Sequence, residues 1–190
     1  MDDKIESTLD FMEFTGRLKH MKRRGWEMHK TPEPYETISG HMYRMGLLCF
    51  LAPEDLDHTK LFKMSLIHDL AEAEIGDITP HCGISPEVKH KMEDDVMVKF
   101  CAGYGKKGQE MLDLFKEYEK QESPEALYIK DLDVIDLLEQ AYEYEKRDNT
   151  PGEYDGFFDN QRAKVKNPFW KAVLHEIENR RNKLRPEVSA

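Results

Sequence analysis

The sequence predicts an all-α fold, and three features carry that expectation. Apolar residues recur at helical spacing along almost the whole chain, strand-like alternation is scarce, and Ser-Pro or Asn-Pro pairs open several of the helical stretches. With 190 residues, 39% of them hydrophobic, the chain has room for one domain with a real core and needs no repeat architecture. The pattern is that of a single compact bundle of seven or eight helices over residues 1–190, with fraying expected at 1–6 and 185–190.

Taken in order, Phe11, Phe14, Leu18 and Met21 form one stripe of a first helix that should stop near Gly25. Thr31-Pro32-Glu33-Pro34 leaves no room for helix, and His41 to Leu51, apolar on most sides and ended by Pro53, reads as a central one. A third helix is expected from about Thr59 to Ile75, with Leu66, Ile67, Leu70 and Ala71 inward, before Gly76-Asp77 turns the chain. Gly76 to Ser85 is a surface loop long enough to border a site. Ser85-Pro86 caps the next helix, whose inner row should be Val88, Met92, Val96 and Phe100, and Met111, Phe115 and Tyr118 mark the one after. Ser123-Pro124 opens a long helix through Leu127, Val134, Leu138 and Ala141 to about Arg147. Residues 148–152 break the chain, and Asn167-Pro168 starts a final helix to about Leu184.

Charge narrows the functional classes. Acidic residues outnumber basic ones 38 to 28, a formal charge of −10, so nucleic-acid polymers are disfavoured as partners. No eighteen apolar residues run together, which argues against a membrane partner, and the start Met1-Asp2-Asp3-Lys4 is unlike a signal peptide. Cys49, Cys82 and Cys101 are widely spaced and odd in number, in keeping with a reducing, cytoplasmic setting.

Ionisable groups inside apolar helical stretches are costly to bury, and His41, His68-Asp69 and Asp133 are four such residues on three stretches. One divalent cation gathered by two imidazoles and two carboxylates would compensate that cost, and mixed nitrogen and oxygen ligation suits Mn, Fe, Co or Zn. Glu72 follows His68 by four residues and Asp69 by three, so helical spacing turns it the same way. Asp136 competes with Asp133, and Lys130, one turn before Asp133, can pair with it or touch a bound phosphate. His20, His29, His58, His81, His90 and His175 have no partner at useful spacing, and the run Glu117 to Glu122 reads as a solvated helix face.

The string Ser65-Leu66-Ile67-His68-Asp69-Leu70-Ala71-Glu72-Ala73-Glu74-Ile75-Gly76-Asp77-Ile78, with His41 in Gly40-His41-Met42-Tyr43-Arg44 and Asp133 in Lys130-Asp131-Leu132-Asp133, closely resembles the HD-domain metallophosphohydrolases. Within them it is most similar to the 5′-deoxynucleotidases, over about residues 8–180. The resemblance implies an HD-domain bundle whose metal ligands are His41, His68, Asp69 and Asp133, with Glu72 and Asp77 serving the chemistry. It also implies a homodimer. Arg23-Arg24-Gly25-Trp26 resembles the Arg and Trp pair that holds substrate, with Arg23 the first choice and Arg24 the second; Trp26 is either a wall against the sugar or core. Two departures stand out: Gly40 occupies the place of an acidic residue common before the first ligand, and one residue is inserted between Trp26 and His41.

The implied reaction releases inorganic phosphate from deoxyribonucleoside 5′-monophosphates, and it needs a Lewis acid on a phosphoryl oxygen and an activated water. Mn, Co or Mg is the expected cofactor, with Fe or Zn as alternatives. Glu72 is expected as general base. Asp77 is left as proton donor, sugar ligand, or, with Glu72 and the Ile78 carbonyl, holder of a second cation. Two competing readings are a phosphohydrolase of cyclic, dinucleotide or triphosphate substrates, and a helical adaptor with a structural metal.

Overall fold

The computed structural model describes residues 2–185, and among them every regular element is helical. The chain falls into two compact units, Met1–Ala126 and Leu127–Ala190. The first holds α1 (Asp2–Arg17), α2 (Arg24–Met28), α3 (Ile38–Leu48), α4 (His58–Ser65), α5 (Glu72–Ile75), α6 (Pro86–Cys101) and α7 (Gly105–Lys120). The second holds most of α8 (Pro124–Asp148), then α9 (Asp155–Gln161) and α10 (Pro168–Asn182). Seven of these have eight residues or more, as expected for an all-α chain, and the three short ones are details that periodicity does not resolve.

In the first unit α3 packs on α4, α4 on α7, α6 on α7, and α5 on both α1 and α6. Side-chain caps set the helix starts. The Thr37 hydroxyl accepts the Gly40 amide at 3.1 Å, and the Asp57 carboxylate accepts the Lys60 amide at 3.0 Å. The expected Ser85 and Ser123 caps are present, accepting from Val88 at 3.4 Å and from Ala126 at 3.2 Å. All three cysteines are free thiols.

Four expectations are corrected. α1 already runs from Asp2, where fraying is expected, and it ends at Arg17 rather than continuing to Gly25, which lies inside α2; the expected tail beyond Arg185 lies outside the described residues. The helix expected over 59–75 is broken: α4 stops at Ser65, and residues 66–71 form tightened turns before α5. On α6 the buried row is Glu93, Met97 and Cys101, one position round from the expected Val88 row, and Val88 is exposed. A search for apolar periodicity passes over that row because Glu93 belongs to it. Finally, α9 fills a stretch with no element expected.

In the second unit a buried ion pair ties α8 to α10. The Arg181 guanidinium donates to Glu145 at 2.7 and 2.5 Å, and lies 4.1 Å over the Phe158 ring. Glu145 also accepts the Tyr154 amide at 2.9 Å. Such pairs tolerate burial because both carboxylate oxygens accept hydrogen bonds. Asp131 is structural too: its Oδ2 accepts the amides of Lys166 and Asn167 ahead of α10.

The closest backbone approach in the first unit is at Gly108 on α7, where a Cβ would stand 1.8 Å from the Cys101 carbonyl oxygen. Gly108→Ala should therefore force α6 and α7 apart and cost about 1–3 kcal/mol, read as a fall of several degrees in Tm. Gly16→Ala in α1, where the same atom meets nothing within 4 Å, should hold or raise Tm.

Candidate metal centre and active site

The six residues between α4 and α5 create the site. Through them the backbone hydrogen bonds shorten: Leu70 N–H reaches Ile67 O at 2.9 Å, Glu72 N–H reaches Asp69 O at 3.1 Å, and Ala73 N–H reaches Leu70 O at 3.2 Å. In such three-residue turns, side chains three apart eclipse, which turns Glu72 to the same side as Asp69, close enough for their charges to interact. His68 is placed by its own ring. Its Nδ1 lies 3.0 Å from the Ser65 carbonyl, an acceptor that requires the proton on Nδ1. Nε2 is thereby left as a bare lone pair, in a side chain with 0% exposure and with no hydrogen bond to that atom among the described residues.

His41, four residues into α3, is likewise fully buried, and its ring packs edge-on to His68 with centroids 5.4 Å apart. Both rings converge on one carboxylate oxygen: Asp69 Oδ2 is 3.3 Å from His68 Nε2 and 3.8 Å from His41 Nε2. Arg23 Nη1 approaches the same oxygen at 3.6 Å. Two buried imidazole nitrogens beside a carboxylate oxygen form a donor set suited to a divalent cation, and the unpaired lone pair on His68 fits that use.

Arg23 arrives through an antiparallel bridge between Lys22 and Thr37, outside any helix. Its Nε lies 3.6 Å from Glu36 Oε1, which also accepts the Trp26 indole N–H at 2.9 Å. Trp26 is 1% exposed, so its ring is locked in place, and Arg24 is exposed. Glu36 escapes a sequence reading because nothing but that bridge brings it near. Asp77 follows Gly76, whose φ of +76° only glycine adopts readily, and its Oδ2 accepts the Arg24 amide at 2.8 Å. The carboxylate thus fastens the start of α2 beside α5. Ile78 is buried.

Glu72 is 3% exposed, and burial, followed by the like charges of Asp69 and Asp77, pushes its carboxyl well above the ordinary carboxylate range. Lys89 on α6, followed by Arg23, opposes this, with Lys89 Nζ 3.7 Å from Glu72 and 3.3 Å from Glu93. Burial pushes the Lys89 ammonium down, but Glu72, Glu93, Asp69 and Asp77 outweigh it and hold it above the usual lysine range. Lys89 went unnoticed in sequence, although Lys89 and Glu93 stand at the (i, i+4) spacing of a helix pair. Two further readings are corrected: His90 does have partners, with Nδ1 2.5 Å from Glu119 and 3.8 Å from Glu93, and the run Glu117 to Glu122 is not merely solvated, since Glu117 pairs with Lys60 at 3.0 Å.

The remaining expected site residues lie on α8 in the second unit. Asp133 is half-buried and pairs with Lys130 at 3.0 Å, while Asp136, one turn on, is 1% exposed.

Gly40, in place of an acid, is at the third position of α3, where an acidic side chain completes a capping box with the N-cap residue. Without it, the start of α3 is capped by the Thr37 hydroxyl alone, accepting the Gly40 amide.

The HD-domain pattern matches residues 15–178, and the chain belongs to the HD-domain family. It is a metal-dependent phosphohydrolase of the phosphomonoester class. A Dictyostelium discoideum protein named 5′-deoxynucleotidase HDDC2 is 38% identical, with 93% of this chain and all of that one covered. A Schizosaccharomyces pombe protein named 5′-deoxynucleotidase hdd1 is 35% identical over 90% of this chain and 88% of its own. Among solved structures, a Pyrococcus horikoshii protein aligns with TM-score 0.72 and 29% identity, covering 95% of this chain and 99% of that one.

In the metal-free protein a raised Glu72 carboxyl has a definite sign. The unfolded chain loses this proton near 4.5 and the folded chain only at higher pH, so stability falls as pH rises from 4.5 through the folded value. Glu72→Gln should accordingly raise the Tm of chelator-treated protein at pH 7, at roughly 2–4 °C per kcal/mol, with the gain fading towards pH 4.5. Calorimetry of both proteins across that window checks it, and a lower Tm for Glu72→Gln at pH 7 would mean that the Lys89 pair outweighs burial.

Proposed function

We infer that this chain is a 5′-deoxynucleotidase, releasing inorganic phosphate from deoxyribonucleoside 5′-monophosphates. The observation that carries the reading is the bare, buried Nε2 of His68 beside Asp69 Oδ2 and His41, a nitrogen and oxygen donor set with no structural use for its lone pair. The relatives' names supply the substrate class. One HD domain spanning both units is the simplest reading of a single family pattern over residues 15–178.

His41, His68 and Asp69 would hold the cation, with Asp133 as fourth ligand on the strength of the motif order. Mn, Co or Mg is the assigned metal class, and Fe or Zn the alternative. When bound, the cation supplies a Lewis acid for a phosphoryl oxygen and acidifies a water. The chain's own groups do the rest. Glu72, turned to the same side as Asp69, takes the proton of the attacking water. Arg23, whose guanidinium already faces Asp69, grips the phosphate dianion through paired N–H donors. Trp26, 1% exposed and hydrogen-bonded to Glu36, is read as core that fixes the Glu36–Arg23 pair rather than as a wall against the sugar. Asp77 has one oxygen committed to the Arg24 amide, and its other oxygen serves the leaving group, the sugar, or a second cation shared with Glu72 and the Ile78 carbonyl. Lys130 steadies Asp133.

Phosphate release from a panel of deoxy- and ribonucleoside 5′-monophosphates, cyclic nucleotides and triphosphates, with added Mn²⁺, Co²⁺ or Mg²⁺, tests the reading. Turnover should be confined to the monophosphates and favour the deoxy forms; preference for a cyclic or triphosphate substrate would overturn it. Asp133→Ala should lose bound metal and activity together, whereas Asp136→Ala should retain metal by elemental analysis.

We also infer a homodimer, and the first unit offers a surface for it. Tyr43, Leu47, Phe50 and Leu51 are 48–69% exposed along and just beyond α3, and Leu66 adds to them at 54%. Helix α3 carries His41 on its buried side and Tyr43 and Leu47 on its open one. A large-to-charged change such as Phe50→Glu should convert the dimer to monomer in light scattering; a wild-type chain that is already monomeric at micromolar concentration would remove the assignment.

A further inference from the structure

We propose that Lys89 is a positioning residue for the reaction, holding the Glu72 carboxylate in its working place; this rests on the reading of Glu72 as base. Among the described residues Lys89 is the ion-pair partner of Glu72, at 3.7 Å, and it comes from a different element, α6, across the α5–α6 packing. The charges of two other carboxylates, Asp69 and Asp77, repel Glu72. A buried carboxylate so repelled is held in place by a cation beside it, and α6 supplies one at 3.7 Å.

Lys89 is itself held from behind. Glu93, one helical turn on and 9% exposed in its side chain, pairs with Lys89 at 3.3 Å. His90 reaches Glu93 at 3.8 Å and Glu119 of α7 at 2.5 Å. The result is a continuous chain of polar contacts from α7 to the site, Glu119, His90, Glu93, Lys89 and Glu72. It explains why a glutamate occupies the buried row of α6, where an apolar residue would pack better. Lys89 has four side-chain carbons of reach and 30% exposure, so without Glu93 it would swing to solvent. Its distance from Glu72 exceeds that of a hydrogen bond, so charge rather than a shared proton sets the carboxylate's position.

The test uses steady-state kinetics with a deoxyribonucleoside 5′-monophosphate on metal-replete protein. Lys89→Met should lower kcat by about 10- to 100-fold while KM stays within about threefold, the pattern of a group that acts on the chemical step rather than on binding. Lys89→Arg, which keeps the charge, should recover most of the rate. In a Glu72→Gln background Lys89→Met should cost nothing further, because its effect runs through Glu72. A rise in KM with kcat held would make Lys89 a substrate contact, and an equal loss in both backgrounds would make it merely structural; either overturns the proposal. If Lys89→Met failed to fold, Glu93→Gln would carry the comparison, lowering kcat severalfold at unchanged KM and costing nothing further in the Glu72→Gln background; an unchanged kcat, or an equal loss in both backgrounds, would overturn the proposal. Glu72→Gln with normal turnover would instead remove the base assignment, and Lys89 with it, whereas an impaired Glu72→Gln beside an unimpaired Lys89→Met would remove Lys89 alone.

Discussion

The contact between His68 Nδ1 and the Ser65 carbonyl governs the rest of the site. It assigns the imidazole proton, aims Nε2 inward, and is available only because the helix has ended at Ser65 and released that carbonyl from the (i, i+4) ladder. Asp69 lies beside both imidazoles. Helical spacing already turns His68, Asp69 and Glu72 towards one side, and the contact at Ser65 fixes which nitrogen of His68 faces the cluster.

The cost of that gathering is electrostatic. Asp69, Glu72 and Asp77 act on one another as like charges, with Glu72 buried, and the protein answers with cations from elements that are distant in sequence: Arg23 from the bridge before α2 and Lys89 from α6. Each cation is braced by a second carboxylate, Glu36 for Arg23 and Glu93 for Lys89. Two braced cations beside a cluster of acids leave the site poised for a divalent ion and a dianionic substrate. They also explain how a chain with a net charge of −10 can handle phosphate at all.

Stability and function draw on different parts of the chain. The buried Glu145–Arg181 pair and the Asp131 contacts to Lys166 and Asn167 secure the second unit and touch no proposed catalytic group. In the first unit the two demands overlap, since Glu93 occupies a core position on α6 and also anchors the cation next to Glu72. That overlap is where apolar periodicity misleads: the buried row contains a charge, so the eye slips to Val88, which is exposed.

By itself the sequence determined the all-α class, most helix starts and the metal-binding motif, because caps, prolines and ligand spacing are local in their physics. His41, His68, Asp69 and Asp133 were legible as a group for the same reason, each being an ionisable residue in an apolar stretch, and Glu72 joined them through its helical spacing to His68 and Asp69. What only the tertiary structure decided is how that group is served. The break at Ser65, the approach of Arg23 through a two-residue bridge, Glu36 behind it, and Lys89 with Glu93 and His90 behind that all depend on which distant elements pack together. Pairing across such distances is set by the balance of burial and charge over the whole fold, and a local pattern cannot encode it.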